Sequence, residues 1–231
     1  LVEQFRPGVM ARLVMGYHAV SAINPRIVYC SLTGYGQSGP RASVAGHDLN
    51  YVADSGLLSL GIGADGAPAI PAALLGDIAG GTYPAVLNIV LALLQRERTG
   101  KGTWLDISMA DNLAPFMVGP LARGMHGDDW PEPRMNDLTG ASPRYRTYVT
   151  RDGRRLAVGA IEDRYWNNFC DVIGLAPEER NAASRERLIE AVASRIARKT
   201  AQEWEAAFVG VDACVSVVRT LHEAAQGAGY A

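Results

Sequence analysis

The chain has 231 residues, 48% of them hydrophobic, a formal net charge of −2 and a mean hydropathy of +0.00. That is enough apolar material for one large or two small domains, and an isoelectric point near 6.1 excludes non-specific attraction to nucleic acid or to an anionic membrane surface. No apolar run reaches the roughly 18 residues of a spanning helix, because Asn88 interrupts even Ala85 to Leu94, and no signal peptide is expected. Cys30, Cys170 and Cys214 stand far apart in apolar surroundings. This reads as buried thiols in a reducing compartment, so a cytoplasmic location is expected.

The chain opens on Leu1-Val2-Glu3-Gln4-Phe5-Arg6-Pro7-Gly8, an apolar pair running into a Pro-Gly turn as though a strand were entered partway. Together with the Ala- and Gly-rich stretch from His222 to Ala231, which shows no packed element, this suggests a piece cut at both ends. Val9 to Met15 reads as a short helix. Arg26 to Leu32 reads as a strand, near-continuously apolar as in a sheet covered on both faces. The following Thr33 to Pro40 holds three glycines and a proline and must be loop, at the strand end where ligands often sit. A helix is expected over His47 to Leu58. A firmer one runs from Asp77 to near Arg98, stopped by Thr99-Gly100-Lys101-Gly102 and apolar enough to be buried on two sides. Thr103 to Ile107 reads as a strand, with Ser108 capping a helix to about Val118. The alternation is βαβα, hence α/β.

Between Gly119 and Pro143 the composition turns to Gly, Pro and Asp, which reads as a linker. Beyond it, Tyr145 to Thr150 and Arg154 to Ala160 alternate polar and apolar residues around Asp152-Gly153, a hairpin signal. Helices follow at Glu162 to Ile173, Ser184 to Lys199 and Ala201 to Val209, then a returning strand at Asp212 to Val218. The organisation is 1–118 as a large α/β domain fragment, 119–143 as linker and 144–231 as a small α+β domain.

Two segments carry candidate chemistry: Ala45-Gly46-His47-Asp48-Leu49-Asn50-Tyr51 and Leu75-Gly76-Asp77-Ile78-Ala79-Gly80-Gly81. An imidazole and a carboxylate, each beside glycine at an apparent helix start, form an acid/base pair that can flank one carbon without a cofactor. From the residues alone Asp77 is equally a plain helix cap, and His47 a helix-start hydrogen bonder or a core histidine. Gly34, Gly36 and Gly39 are followed by proline and lack a helix start, so a dinucleotide site is not expected. Metal-ligand spacings are absent, and His18, His126 and His222 are assigned no role. Gly61 to Pro68 reads either as a flap or as a plain surface loop.

Phe5-Arg6-Pro7-Gly8-Val9, Asn24-Pro25-Arg26-Ile27-Val28-Tyr29, Gly34 to Pro40, Gly46 to Tyr51, Gly76-Asp77 and Arg98 to Gly102 together resemble the class III CoA-transferase superfamily. The Gly-His-Asp-Leu-Asn-Tyr run is similar to that of its α-methylacyl-CoA racemase branch. The resemblance implies a Rossmann-like parallel-sheet domain, here N-terminally incomplete, with a smaller α+β domain in an interlocked homodimer. It also implies 1,1-proton transfer at C2 of 2-methyl-branched acyl-CoA thioesters through an enolate, with no cofactor, CoA being part of the substrate. Asp77 and His47 would be the proton carriers and Glu162 the carboxylate orienting the histidine. Arg6 and Arg12 would meet the CoA phosphates, while Tyr51, Asp48 and Gly76 would line the substrate. Free N–H groups at the helix start of Asp77 would hold the enolate oxygen, and Gly76, Gly80 and Gly81 would admit the thioester. Two other readings stay open: a CoA-transferase with Asp77 as nucleophile, and a non-catalytic fragment.

Overall fold

The computed structural model describes residues 1–63, 66–127, 130–131, 137–180 and 184–227, in two units, Leu1–Pro131 and Glu132–Ala231. The boundary falls inside the stretch read as a linker, but part of that stretch is helical. The core of the first unit is a parallel sheet of three strands, β1 (Val2–Glu3), β2 (Val28–Thr33) and β3 (Thr103–Ser108), with β2 in the middle. The near-continuous apolar run of β2 has the expected cause, since Val28, Tyr29, Cys30 and Ser31 are all buried and both faces are covered.

One face carries Cys30, Leu32, Leu105 and Ile107, packed under a long helix through Ala85 and Ile89. The other presents Tyr29, Ser31 and Trp104, where the Trp104 indole donates to Ser31 Oγ at 3.0 Å and stacks on Tyr17. Tyr17 belongs to α2 (Tyr17–Ile23), a helix absent from the sequence expectation. The helix before it, α1, is shorter than expected (Val9–Arg12), because Val14 takes a left-handed φ of 56°.

The crossover from β2 to β3 carries α3 (Asp48–Asp54) and α4 (Leu57–Leu60). The single helix expected over His47 to Leu58 is thus broken, and the break sits at Gly56, whose φ of +89° is open to glycine. Then comes one continuous helix, π-helical over Leu75–Thr82 and α-helical over Tyr83–Thr99 (α5). It ends at Gly100, which is left-handed at φ +73° and donates its N–H to Arg96 O at 2.8 Å.

Two expectations about this helix are corrected. Its burial is one-sided: Ala85 and Ala92 are buried, whereas Leu87 and Leu94 are 60% and 59% exposed and Val86, Val90 and Leu91 are also exposed. Apolar content cannot say which flank has a partner. The Leu75–Thr99 stretch also reaches, by length and composition, what a membrane-spanning helix requires, with a mean hydropathy of 1.5 over its best window. Asn88 does not break it, since its side-chain amide donates to Pro84 O at 2.8 Å within the helix. The packing of Ala85 and Ile89 on the sheet makes it the cover of a parallel sheet.

After β3, Ser108 Oγ accepts the N–H of Asp111 at 3.3 Å, as a cap, at the start of a 3₁₀ segment (Asp111–Met117). Helix α6 (Val118–Gly127) continues it into the stretch read as linker.

The second unit holds an antiparallel sheet of β4 (Tyr145–Val149), β5 (Arg155–Gly159) and β6 (Val215–Val217), order β4-β5-β6. The expected hairpin is there, turned by Gly153 at φ +76°. Among the described residues it is accompanied by the α-helices α7 (Asp163–Ile173), α8 (Pro177–Arg180), α9 (Arg185–Ile196), α10 (Ala201–Ala207) and α11 (Leu221–Gly227). The last corrects the expectation of an unstructured end, and Thr220 and Glu223 cap it reciprocally. Leu156, Phe169, Val192, Ile196 and Trp204 form the core.

Of the cysteines, Cys30 and Cys170 are buried as expected but Cys214 is exposed. Burial pushes the Cys170 thiol up to about 11 and raises that of Cys30, with the Glu3 carboxylate adding to the latter. Neither is a ready thiolate.

Candidate active site

The glycine loop leaves β2 at Gly34 and is tied back to β3, with the backbone N–H of Gln37 shared by both carboxylate oxygens of Asp106 at 3.0 Å. It forms one wall of a cleft of about 430 Å³ lined by Arg6, Gly34, Tyr35, His47, Tyr51 and Met109, among others. His47 takes the N-cap position of α3 in extended conformation and is exposed. Its backbone is fixed from both directions: its N–H donates to Asn50 Oδ1 at 3.0 Å and its carbonyl accepts the Asn50 N–H at 2.8 Å. Tyr51 is buried, and its hydroxyl donates to Gly46 O, so the residue before the histidine is held as well.

Asp77 does not cap its helix. It is the third residue of the π-helical segment, half-buried, and its backbone N–H donates to Asp48 Oδ1 at 2.8 Å. Asp48 directly follows His47, so one hydrogen bond ties the aspartate's backbone to the histidine's helix. Among the described residues no donor is hydrogen-bonded to the Asp77 carboxylate. Burial raises its proton affinity above the usual carboxylate range and the Asp48 charge adds to this, while the nearby His47 pulls the other way. The same two carboxylates raise the Tyr51 phenol, after burial.

Three expectations about this corner are revised. The N–H of Asp77 is not free for an enolate oxygen, since Asp48 occupies it. Asp48 in turn meets the Asp77 backbone through that oxygen. Gly76, Gly80 and Gly81 serve packing: a Cβ on Gly76 would lie 3.2 Å from Asp48 Oδ1, one on Gly80 2.2 Å from Met109 O, and one on Gly81 3.2 Å from Met109 Cγ. These glycines let the helix carrying Asp77 press against α3 and the end of β3. The signal was legible as glycine spacing, but which surface approaches is set by the tertiary fold.

Arg6 is exposed and lines the cleft; Arg12 is exposed at the end of α1. Glu162 belongs to the second unit, exposed at the N-cap of α7. Its neighbours are held by Arg144, which donates to Ile161 O at 2.8 Å and to Asp163 Oδ1 at 2.7 Å and packs on Trp166. Sequence reading passed over Arg144, as it did Arg41 and Asp54, because a lone arginine or aspartate carries no spacing signature. In the Gly61 to Pro68 segment, Ile62 and Pro68 pair as an isolated bridge, and residues 64 and 65 lie outside the described residues. No group of three or more metal-ligating side chains occurs among the described residues.

A sequence model of CoA-transferase family III matches residues 1–231. The chain belongs to CoA-transferase family III. Within the family it is 41% identical to the alpha-methylacyl-CoA racemase of Mus musculus, over 97% of this chain and 60% of that protein. The Homo sapiens racemase matches at 41% identity over 96% and 59%. Identity to the succinyl-CoA:glutarate CoA-transferase of Mus musculus is 31%, over 90% of this chain and 49% of that one. The chain thus spans about 60% of the length of the racemases it matches. Among solved structures, a CAIB/BAIF family protein from Brucella suis superposes with a TM-score of 0.78 at 24% identity, covering 96% of this chain and 60% of that one. A Mycobacterium tuberculosis protein gives 0.75 at 27%, covering 97% and 62%. The mixed α/β fold with its parallel sheet is therefore that of the family.

Proposed function

We propose that the protein racemises the α-carbon of a 2-methyl-branched acyl-CoA thioester by 1,1-proton transfer between His47 and Asp77. The observation that carries the reading is the half-buried Asp77 carboxylate, to which no donor among the described residues is hydrogen-bonded, anchored through its own N–H to the residue after His47. Burial, and then the like charge of Asp48, raise its proton affinity, the direction that makes a carboxylate a stronger general base. One group removes the proton, the negative charge moves to the thioester oxygen, and the other group returns a proton on the opposite face. Two different bases are what inversion needs. The reading is supported by the higher identity to the two racemases than to the transferase.

Arg6 and Arg12 are proposed to meet the CoA phosphates, bidentate guanidinium recognition suiting that role, and Tyr51 to wall the cleft. CoA is the substrate's handle and no further cofactor takes part. The exposed apolar side of α5, Leu87 and Leu94 included, is consistent with the homodimer the family resemblance implies.

Incubating a single-epimer 2-methylacyl-CoA in D₂O tests the function: α-deuteration with inversion is expected. CoA passing to an acceptor acid without α-exchange would establish the transferase reading instead, in which Asp77 is a nucleophile.

A pH prediction follows for Asp48→Asn. Asp77 accepts a proton only when ionised, so exchange in that direction rises with pH through its elevated pKa. Asparagine retains an oxygen for the Asp77 N–H but removes the like charge, so the rising limb moves to lower pH. A pH profile of initial exchange rates checks this; a limb that stays put or moves up contradicts it.

A further inference from the structure

Beside the cleft, two side chains converge on one carboxylate, and none of the three belongs to the acid/base pair. The Tyr35 hydroxyl donates to Asp54 Oδ2, Arg41 Nη2 pairs with that same oxygen, and the Arg41 guanidinium lies 4.2 Å from the Tyr35 ring centroid. An exposed ion pair of this kind contributes little to stability. Its placement matters more.

Tyr35 and Arg41 lie on the loop after β2, whereas Asp54 is the last residue of α3, the helix that His47 caps. The cluster therefore staples the loop to the far end of the histidine's own helix. At the near end, Tyr35 meets Tyr51 edge to face at 5.3 Å, and the Tyr51 hydroxyl holds Gly46 O. A Cβ on Gly34 would lie 2.3 Å, and one on Gly46 2.8 Å, from Tyr51 Cε1. The Tyr51 ring is wedged between two backbones, one leading into the loop and the other into His47. The pairing with Asp54 lowers that carboxyl's proton affinity, the Tyr35 bond first and Arg41 next, so the clamp is ionised near neutral pH.

We infer that Arg41, Tyr35 and Asp54 are positioning residues that fix α3 against the glycine loop and so aim the His47 imidazole into the cleft. The inference rests on the proton-transfer reading. If it holds, loosening the clamp impairs the step His47 performs and leaves the step Asp77 performs, because Asp77 rides on the long helix, which is seated independently of α3 where Gly80 packs against Met109 and where Ala85 and Ile89 pack on the sheet.

The test measures initial α-deuterium uptake from each pure epimer of a 2-methylacyl-CoA, in the wild type, Tyr35→Phe, Asp54→Asn and Asp54→Glu. His47→Ala identifies the epimer whose proton the imidazole takes. For that epimer, Tyr35→Phe and Asp54→Asn should lower kcat about 10- to 100-fold with KM little changed, the size of effect that a misplaced catalytic group produces. Uptake from the other epimer should stay within about twofold, and Asp54→Glu should recover part of the loss. Tyr35→Phe retains the ring contact with Tyr51 and keeps the test open if Asp54→Asn unfolds. Equal slowing of both epimers, or none, would overturn the inference while leaving the racemase reading intact. A wild type with no α-exchange would instead remove the reading on which it rests.

Discussion

Asp77→Asn and His47→Ala are expected to slow inversion steeply and to leave different residual activities. Each substitution removes one of the two proposed proton carriers, and a positioned general acid or base contributes about 10²–10⁴-fold, so on that reading racemisation should fall by that factor in both. Asp77→Asn retains the backbone N–H that Asp48 accepts at 2.8 Å, so the helix start stays anchored and the loss reports on the carboxylate alone. The remaining base can still exchange protons on its own face. Each variant should therefore show deuterium uptake with retention from one epimer only, and the two variants should serve opposite epimers. Mass spectrometry of recovered thioester with chiral analysis reads this directly. Uptake from both epimers in either variant would mean that the second base lies elsewhere.

Gly80→Ala should destabilise the protein although alanine is the better helix former. The added Cβ would sit 2.2 Å from Met109 O, a backbone atom that cannot swing aside. Overpacking of this kind typically costs about 1–3 kcal/mol, against a propensity gain of about 1 kcal/mol or less. A net loss of about 1 kcal/mol corresponds to a fall in Tm of about 2–4 °C in a chain of this size. The internal control is Gly119→Ala in α6, where nothing lies within 4 Å of the new carbon and the effect should be neutral or mildly stabilising. The displacement should also move Asp77, so α-exchange should drop in Gly80→Ala and not in Gly119→Ala. Equal melting temperatures for the two variants would contradict the packing role given to Gly80.

Much of this was legible in the residues, and the exceptions share a cause. The doubly covered β2, the Asp152-Gly153 hairpin and the Gly100 stop are written in local patterns, because strand burial, turn chirality and helix termination depend on neighbours in sequence. The break at Gly56 and the π-helical start at Leu75 were missed, since a glycine tolerated in a helix and a glycine required to leave one have the same letter. The exposure of Cys214 and of the Leu87 side of α5 was missed because hydropathy says what could be buried, not what a partner covers.

By itself the sequence determined the chemistry on offer: an imidazole and a carboxylate, each beside glycine, and the apolar runs that build the sheet and its covering helix. Only the tertiary structure decided how they are arranged. The hydrogen bond from the Asp77 N–H to Asp48 joins residues 29 positions apart, and the Arg41–Tyr35–Asp54 clamp joins a loop to the end of a helix. Such contacts leave no periodic trace, because they depend on where two backbones meet after the chain has closed on itself. For the same reason the packing of the three glycines around Asp77 against Asp48 and Met109 could not be read from their spacing, since only the fold fixes which atoms approach a missing side chain.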